Sequence, residues 1–183
     1  MSDFLTELKR HFNESQQEFS GLKNGLKKQV CERCLTNIFQ EEVLDKAVAF
    51  SSVSKPNGRN SLGFFGFKPR PDDLEVEFEG KKVLIECKKM SKDSLWEIRN
   101  SFGQTLEYLL QGKWEEGCII IFDLRDESSD LFDDSDAGKI NKWFVNKFTM
   151  NGVPLDNCKA IRISVACIRL NEGLLSLKSY RLE

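Results

Sequence analysis

The chain has a single histidine, His11. That scarcity excludes zinc sites and hydrolytic centres assembled from several imidazoles, and it leaves carboxylates as the ligands for any metal-assisted chemistry. A long apolar run is missing as well. Nothing approaches the ~18 consecutive apolar residues of a membrane-crossing helix, and the opening stretch MSDFLTELKRHF has no apolar signal core. The expectation is a cytoplasmic protein with no membrane partner. The six cysteines do not form the dense spacing of a secreted disulfide framework and read as reduced thiols. There is no internal repeat and no low-complexity tract. With 183 residues and 40% hydrophobic content, the chain suits one domain spanning 1–183, large enough to bury a core without covalent staples.

Charge of one sign is also lacking, since the formal net charge is −2. An average near zero argues against contacts to phosphate, which need Lys and Arg. The distribution argues otherwise. Seven acids and one Arg between Asp123 and Asp136 give a local −6, so the rest of the chain carries +4. Between Ser51 and Pro71 stand Lys55, Arg59, Lys68 and Arg70 with no acid among them. That basic stretch runs directly into PDDLEVEFEGKKVLIECK, residues 71–88. Leu74, Val76 and Phe78 alternate with Asp73, Glu75 and Glu77. After Glu79-Gly80 the alternation resumes, Val83, Ile85 and Cys87 against Leu84, Glu86 and Lys88, and so predicts two half-buried strands and a tight turn. With Glu79-Gly80 as a two-residue loop, Val76 faces Val83, Leu74 faces Ile85 and Asp73 faces Glu86. A loop one residue longer would mix polar and apolar faces, so the pattern favours the even register. One face of the hairpin is then apolar, and the other carries Asp73, Glu86 and Lys88.

Pro71-Asp72-Asp73 followed by Glu86-Cys87-Lys88 resembles the motif of the PD-(D/E)XK nuclease superfamily. Val83-Leu84-Ile85 before it and Lys88-Lys89 after it are similar to archaeal Holliday junction resolvases and RecB-type nucleases. The resemblance covers about residues 60–125. It implies an α/β, restriction-endonuclease-like αβββαβ core, a mixed sheet flanked by helices, and here extra N-terminal helices (an extension over 1–30) and a C-terminal β-hairpin. It further implies a Mg²⁺- or Mn²⁺-dependent deoxyribonuclease, with Asp73, Glu86 and the Cys87 carbonyl on the metal and Lys88 beside the attacking water. A helix before the hairpin supplies a further Glu in these families, for which Glu41 or Glu42 is the candidate. Gln104-x-x-x-Tyr108 is similar to the Gln-x-x-x-Tyr element of the RecB-type nucleases, near the metal site and the DNA path. Lys55, Arg59, Lys68, Arg70 and Lys89 are the candidate DNA contacts, and no small-molecule cofactor is expected. The family name points to Asp72, the residue directly after Pro, whereas register points to Asp73. A bulge at the strand start would turn Asp72 inward instead.

The remaining elements follow from periodicity. Phe4, Leu5, Leu8, Phe12 and Phe19 predict a helix over residues 2–19, and the apolar spacing from Leu22 to Phe50 predicts a second, with Gly21 and Gly25 at the joint. Cys31-Glu-Arg-Cys34 has the spacing of a metal or redox site. A four-ligand site needs two more ligands, however, and Cys87, Cys118, Cys158 and Cys167 fall singly, so the pair reads as two small thiols within a helix. Ser61–Phe67 is expected to be the first strand. Ser94 and Glu97 form a capping box for a helix ending before Gly112, with Gln104 and Tyr108 away from its apolar stripe. Cys118–Leu124 reads as a buried central strand, Lys139–Phe148 as a short helix, and Ala160–Leu170 with Leu174–Leu182 as a hairpin.

The chemistry these residues suit is hydrolysis of a DNA phosphodiester. Two facing carboxylates repel and resist ionising together without a cation between them, which calls for a metal or a Lys. A non-cleaving nucleic-acid-binding module on the same fold is the alternative. The Phe4/Leu8/Phe12 stripe, which must pack somewhere, raises a third reading, an oligomerisation surface or homodimer.

Overall fold

A computed structural model of the chain describes residues 3–56, 74–91, 95–110, 114–126, 138–139, 142 and 162–182. They form a six-stranded sheet in the order β1-β2-β3-β4-β5-β6, with β1 Phe50–Ser54, β2 Leu74–Phe78, β3 Lys81–Met90, β4 Glu116–Asp123, β5 Arg162–Asn171 and β6 Leu174–Leu182. The helices are α1 Phe4–Ser15, α2 Ser20–Lys27, α3 Glu32–Phe39 and α4 Leu95–Leu110. The sheet is mixed: β3, β4 and β5 run parallel, and β1-β2, β2-β3 and β5-β6 are antiparallel. β4 and β5, in the middle, are buried almost end to end, as expected of parallel strands covered on both faces.

The central hairpin has the even register read from the sequence. Leu74 pairs with Ile85, Val76 with Val83 and Phe78 with Lys81. Its loop residues Glu79 and Gly80 have φ of 49° and 75°, the turn whose twist matches that of the flanking strands. Glu172 and Gly173, with φ of 47° and 80°, repeat the device between β5 and β6. Because β3 alternates, Val83, Ile85 and Cys87 enter the core built with α1–α3, while Leu84 and Met90 enter the core built with α4.

The amino-terminal half departs from expectation. The apolar periodicity from Leu22 to Phe50 is not one helix. Gln29 takes a φ of 52° and ends α2, α3 restarts with Cys31 as its N-cap, and a π-helical turn at Gln40–Leu44 follows. Phe50–Ser54 then becomes β1, pairing with β2. Ladder hydrogen bonds and β-branched or aromatic packing outweigh helical spacing there. The first strand is therefore β1; the expected strand Ser61–Phe67 lies outside the described residues, and of the expected helix Lys139–Phe148 only Lys139 and Lys142 are described, both helical. Nor are the described residues of the expected extension over 1–30 an appendage. Phe4, Leu8 and Phe12 are fully buried, with Phe4 packed 5.1 Å from Phe50 and 6.1 Å from Phe78, centroid to centroid. The stripe that suggested a dimer surface is consumed by the chain's own core.

Candidate active site at the end of strand β3

Glu86 and Lys88 lie two residues apart on β3 and so share the α4 face. Glu86 has no exposed surface, and Lys88 is 7% exposed. The Lys88 ammonium sits 2.7 Å from Glu86 Oε1 and 3.7 Å from Glu32 Oε1. Neither Glu86 oxygen makes a properly angled hydrogen bond with a described group, so the contact with Lys88 is one of charge. A buried carboxylate held this way depends on its counter-ion.

Glu32 was not anticipated. It is the first residue of α3, a position where the helix dipole favours a carboxylate. Beyond Ile85 the described ladder between β2 and β3 ends, and Glu32 Oε2 accepts the Lys89 backbone N–H at 2.9 Å. One carboxylate thus satisfies the strand's amide and faces the Lys88 ammonium. The signal was an acid directly after a helix start, hidden because residues 22–50 read as a single helix.

The glutamates expected from the preceding helix do something else. Glu42 accepts the backbone N–H groups of Gly21 and Leu22, both at 2.9 Å, and so caps the start of α2. Glu41 is exposed. The carboxylate that the amino-terminal helices bring to Lys88 is Glu32.

Gln104 and Tyr108 are buried, at 5% and 1% exposure, contrary to their wheel position away from the apolar stripe. From Ser101 to Tyr108, α4 is covered nearly all round: Ser101, Thr105 and Glu107 are buried as well. Tyr108 packs edge-on against Trp114 at 6.1 Å. The Gln104 Oε1 has no hydrogen-bond partner among the described residues.

Of the cationic candidates, Lys55 is exposed and its Nζ donates to Asn37 Oδ1 at 3.3 Å. Lys89 Nζ donates to the Gln29 carbonyl at 3.0 Å, which ties β3 to the link between α2 and α3. Arg59, Lys68, Arg70, Asp72 and Asp73 lie outside the described residues, so the choice between Asp72 and Asp73 rests on register alone. Among the described residues, no three His, Cys, Asp or Glu side chains converge as a metal-binding group. Glu86 nevertheless fits a cation, being a fully buried carboxylate with an oxygen that no described group satisfies.

A second polar centre stands at the same end of the sheet, where Met90, Asp123 and Arg169 are register neighbours on β3, β4 and β5. Asp123, counted in the acidic segment and lying within the expected buried strand Cys118–Leu124, is buried. It accepts from Arg125 Nε at 2.9 Å and Nη2 at 3.0 Å, and Arg169 Nη1 lies 3.8 Å away. Arg169 also donates to the Arg125 and Asp126 carbonyls, which fixes the chain as it leaves β4. Of Cys31 and Cys34, expected inside a helix, Cys34 lies in the first turn of α3 and Cys31 is its N-cap, and both are exposed.

Compared with protein-family models, with curated proteins and with solved structures, the chain matches none.

Proposed function

We propose that this chain is a nuclease that hydrolyses DNA phosphodiester bonds with a divalent metal ion, on a restriction-endonuclease-like fold. The observation that carries the reading is the buried Glu86–Lys88 pair on β3 with an unsatisfied carboxylate oxygen. Its setting supports it. The pair follows an antiparallel hairpin, precedes a helical crossover to a parallel strand, and lies toward the carboxyl end of β3, where open α/β sheets gather their ligands.

Glu86, Asp73 and the Cys87 carbonyl are the groups that would hold Mg²⁺ or Mn²⁺; the alternation in the sequence, with Glu79-Gly80 as the loop, favours Asp73 over Asp72 as the partner of Glu86. When bound, such an ion neutralises phosphate charge and lowers the pKa of a water. Lys88 supplies a fixed positive charge beside the phosphate and orients the water by hydrogen bonding. Glu32 acts through Lys88, directing the ammonium. Gln104 contributes a buried amide from α4, and Lys55, Arg59, Lys68, Arg70 and Lys89 bind the DNA backbone without reading sequence.

The test is incubation of the protein with linear, circular, branched and single-stranded DNA, each with Mg²⁺ or with EDTA. Cleavage of at least one substrate that EDTA stops is the expected result. Binding without cutting under all conditions would favour the non-cleaving module.

A further inference from the structure

The two described cysteines that are exposed are also the two that touch. Cys31 and Cys34 have sulfurs 2.7 Å apart, and Cys31 Sγ further accepts the Cys34 backbone N–H at 3.3 Å as the N-cap of α3. Cys87, Cys118 and Cys167 are buried. Between the exposed pair in the chain stands Glu32, whose carboxylate reaches the Lys88 ammonium and the Lys89 amide. We propose that Cys31 and Cys34 form a thiol–disulfide switch, closed by exchange with a low-molecular-weight disulfide, and that the closed ring Cys31-Glu32-Arg33-Cys34 pins the Glu32 carboxylate against β3.

The chemistry of the pair is asymmetric. The shared hydrogen bond with Cys34, then the Cys34 backbone N–H, hold Cys31 below the ordinary thiol range, with the nearby Lys89 charge adding to them. The same sulfur contact raises Cys34. Burial pushes Cys118 and Cys167 up to about 12, which leaves them inert. Cys31 is therefore the attacking thiolate. It displaces one thiolate from a disulfide such as glutathione disulfide and forms a mixed disulfide. Cys34, losing its proton, then attacks the Cys31 sulfur and releases the second glutathione. The protein gives up two protons and two electrons, and one glutathione disulfide becomes two thiols. Any effect on cleavage rests on the nuclease reading; the disulfide and its coupling to Glu32 do not.

The experiment is equilibration of the full chain in glutathione buffers of rising oxidation, read by intact mass, by peptide mapping and by NMR amide exchange at Lys89. An intramolecular Cys31–Cys34 bond should form, reverse with excess thiol, and slow exchange of the Lys89 amide severalfold. Cys34→Ser should stop at a glutathione adduct on residue 31, and Cys31→Ser should take up little glutathione. Absence of the bond, an adduct mainly on Cys34, or a Lys89 amide that exchanges as fast or faster after oxidation would each overturn the proposal. If the switch forms and no DNA is cut in either state, the nuclease reading fails and the switch stands.

Discussion

Lys88 is the counter-ion of a carboxylate that has no contact with water, so its removal acts on the fold as well as on any chemistry. Deleting one partner of a buried pair strands the other, at a typical cost of about 3–5 kcal/mol. Lys88→Ala should therefore lower stability by about that much in chemical denaturation, and combining it with Glu86→Gln should restore a large part. An equally stable Lys88→Ala protein would mean that Glu86 is not held by the lysine. The alternation in the sequence favours Asp73 over Asp72 as the proposed metal ligand. Asp73→Asn should lose DNA cleavage through the missing ligand charge, and Asp72→Asn should keep most of it. The reverse outcome in a cleavage assay would place a bulge at the start of β2. Glu32 was not legible at this scale, because its role depends on where α3 begins and on an amide 57 residues further along the chain.

Among the elements, the hairpin was readable because two independent constraints agree. Period-two alternation and a two-residue turn admit one register, and the pairing of Leu74 with Ile85 follows from both. The helices were less readable. Apolar spacing runs on through Gln29, where a left-handed φ breaks the helix, and nothing in the periodicity marks it. The wheel for α4 assumed a single buried face, whereas Gln104 and Tyr108 are buried like Leu106. A Cβ on Gly21 would stand 2.5 Å from Glu42 Oε1, so Gly21→Ala must displace the carboxylate that caps α2. Instead of the gain of about 1 kcal/mol usual for Gly→Ala in a helix, the denaturation midpoint should fall. Glu116, at the start of β4, has its pKa raised above the ordinary carboxylate value by burial, opposed by Arg162 and Lys81. The fold thus prefers its protonated form. The stability this contributes is present below the unfolded-state pKa and is lost as pH rises through the raised folded value. Glu116→Gln should remove that part of the acid-side pH dependence in denaturation curves recorded across the Glu range; an unchanged profile would refute the assignment.

At the scale of the molecule, the sheet sorts charge that the overall −2 conceals. The carboxyl ends of β3, β4 and β5 gather Lys88, Asp123 and Arg169, all buried and all partnered by charge. The α/β class and the central place of β4 were legible because a continuous apolar run suits only a strand covered on both faces. The first strand at Phe50–Ser54 was not, since its place beside β2 is a tertiary choice. The proposed place of Glu86 in a metal-dependent DNA-cutting site is tested by the rate of Mg²⁺-dependent DNA cleavage by wild type and Glu86→Gln, with folding of both checked by circular dichroism. Wild type should cleave in a way that EDTA abolishes, and the folded variant should be slower by at least about 10²-fold. A Glu86→Gln protein that cuts as fast as wild type, or wild-type cleavage indifferent to EDTA, would contradict it.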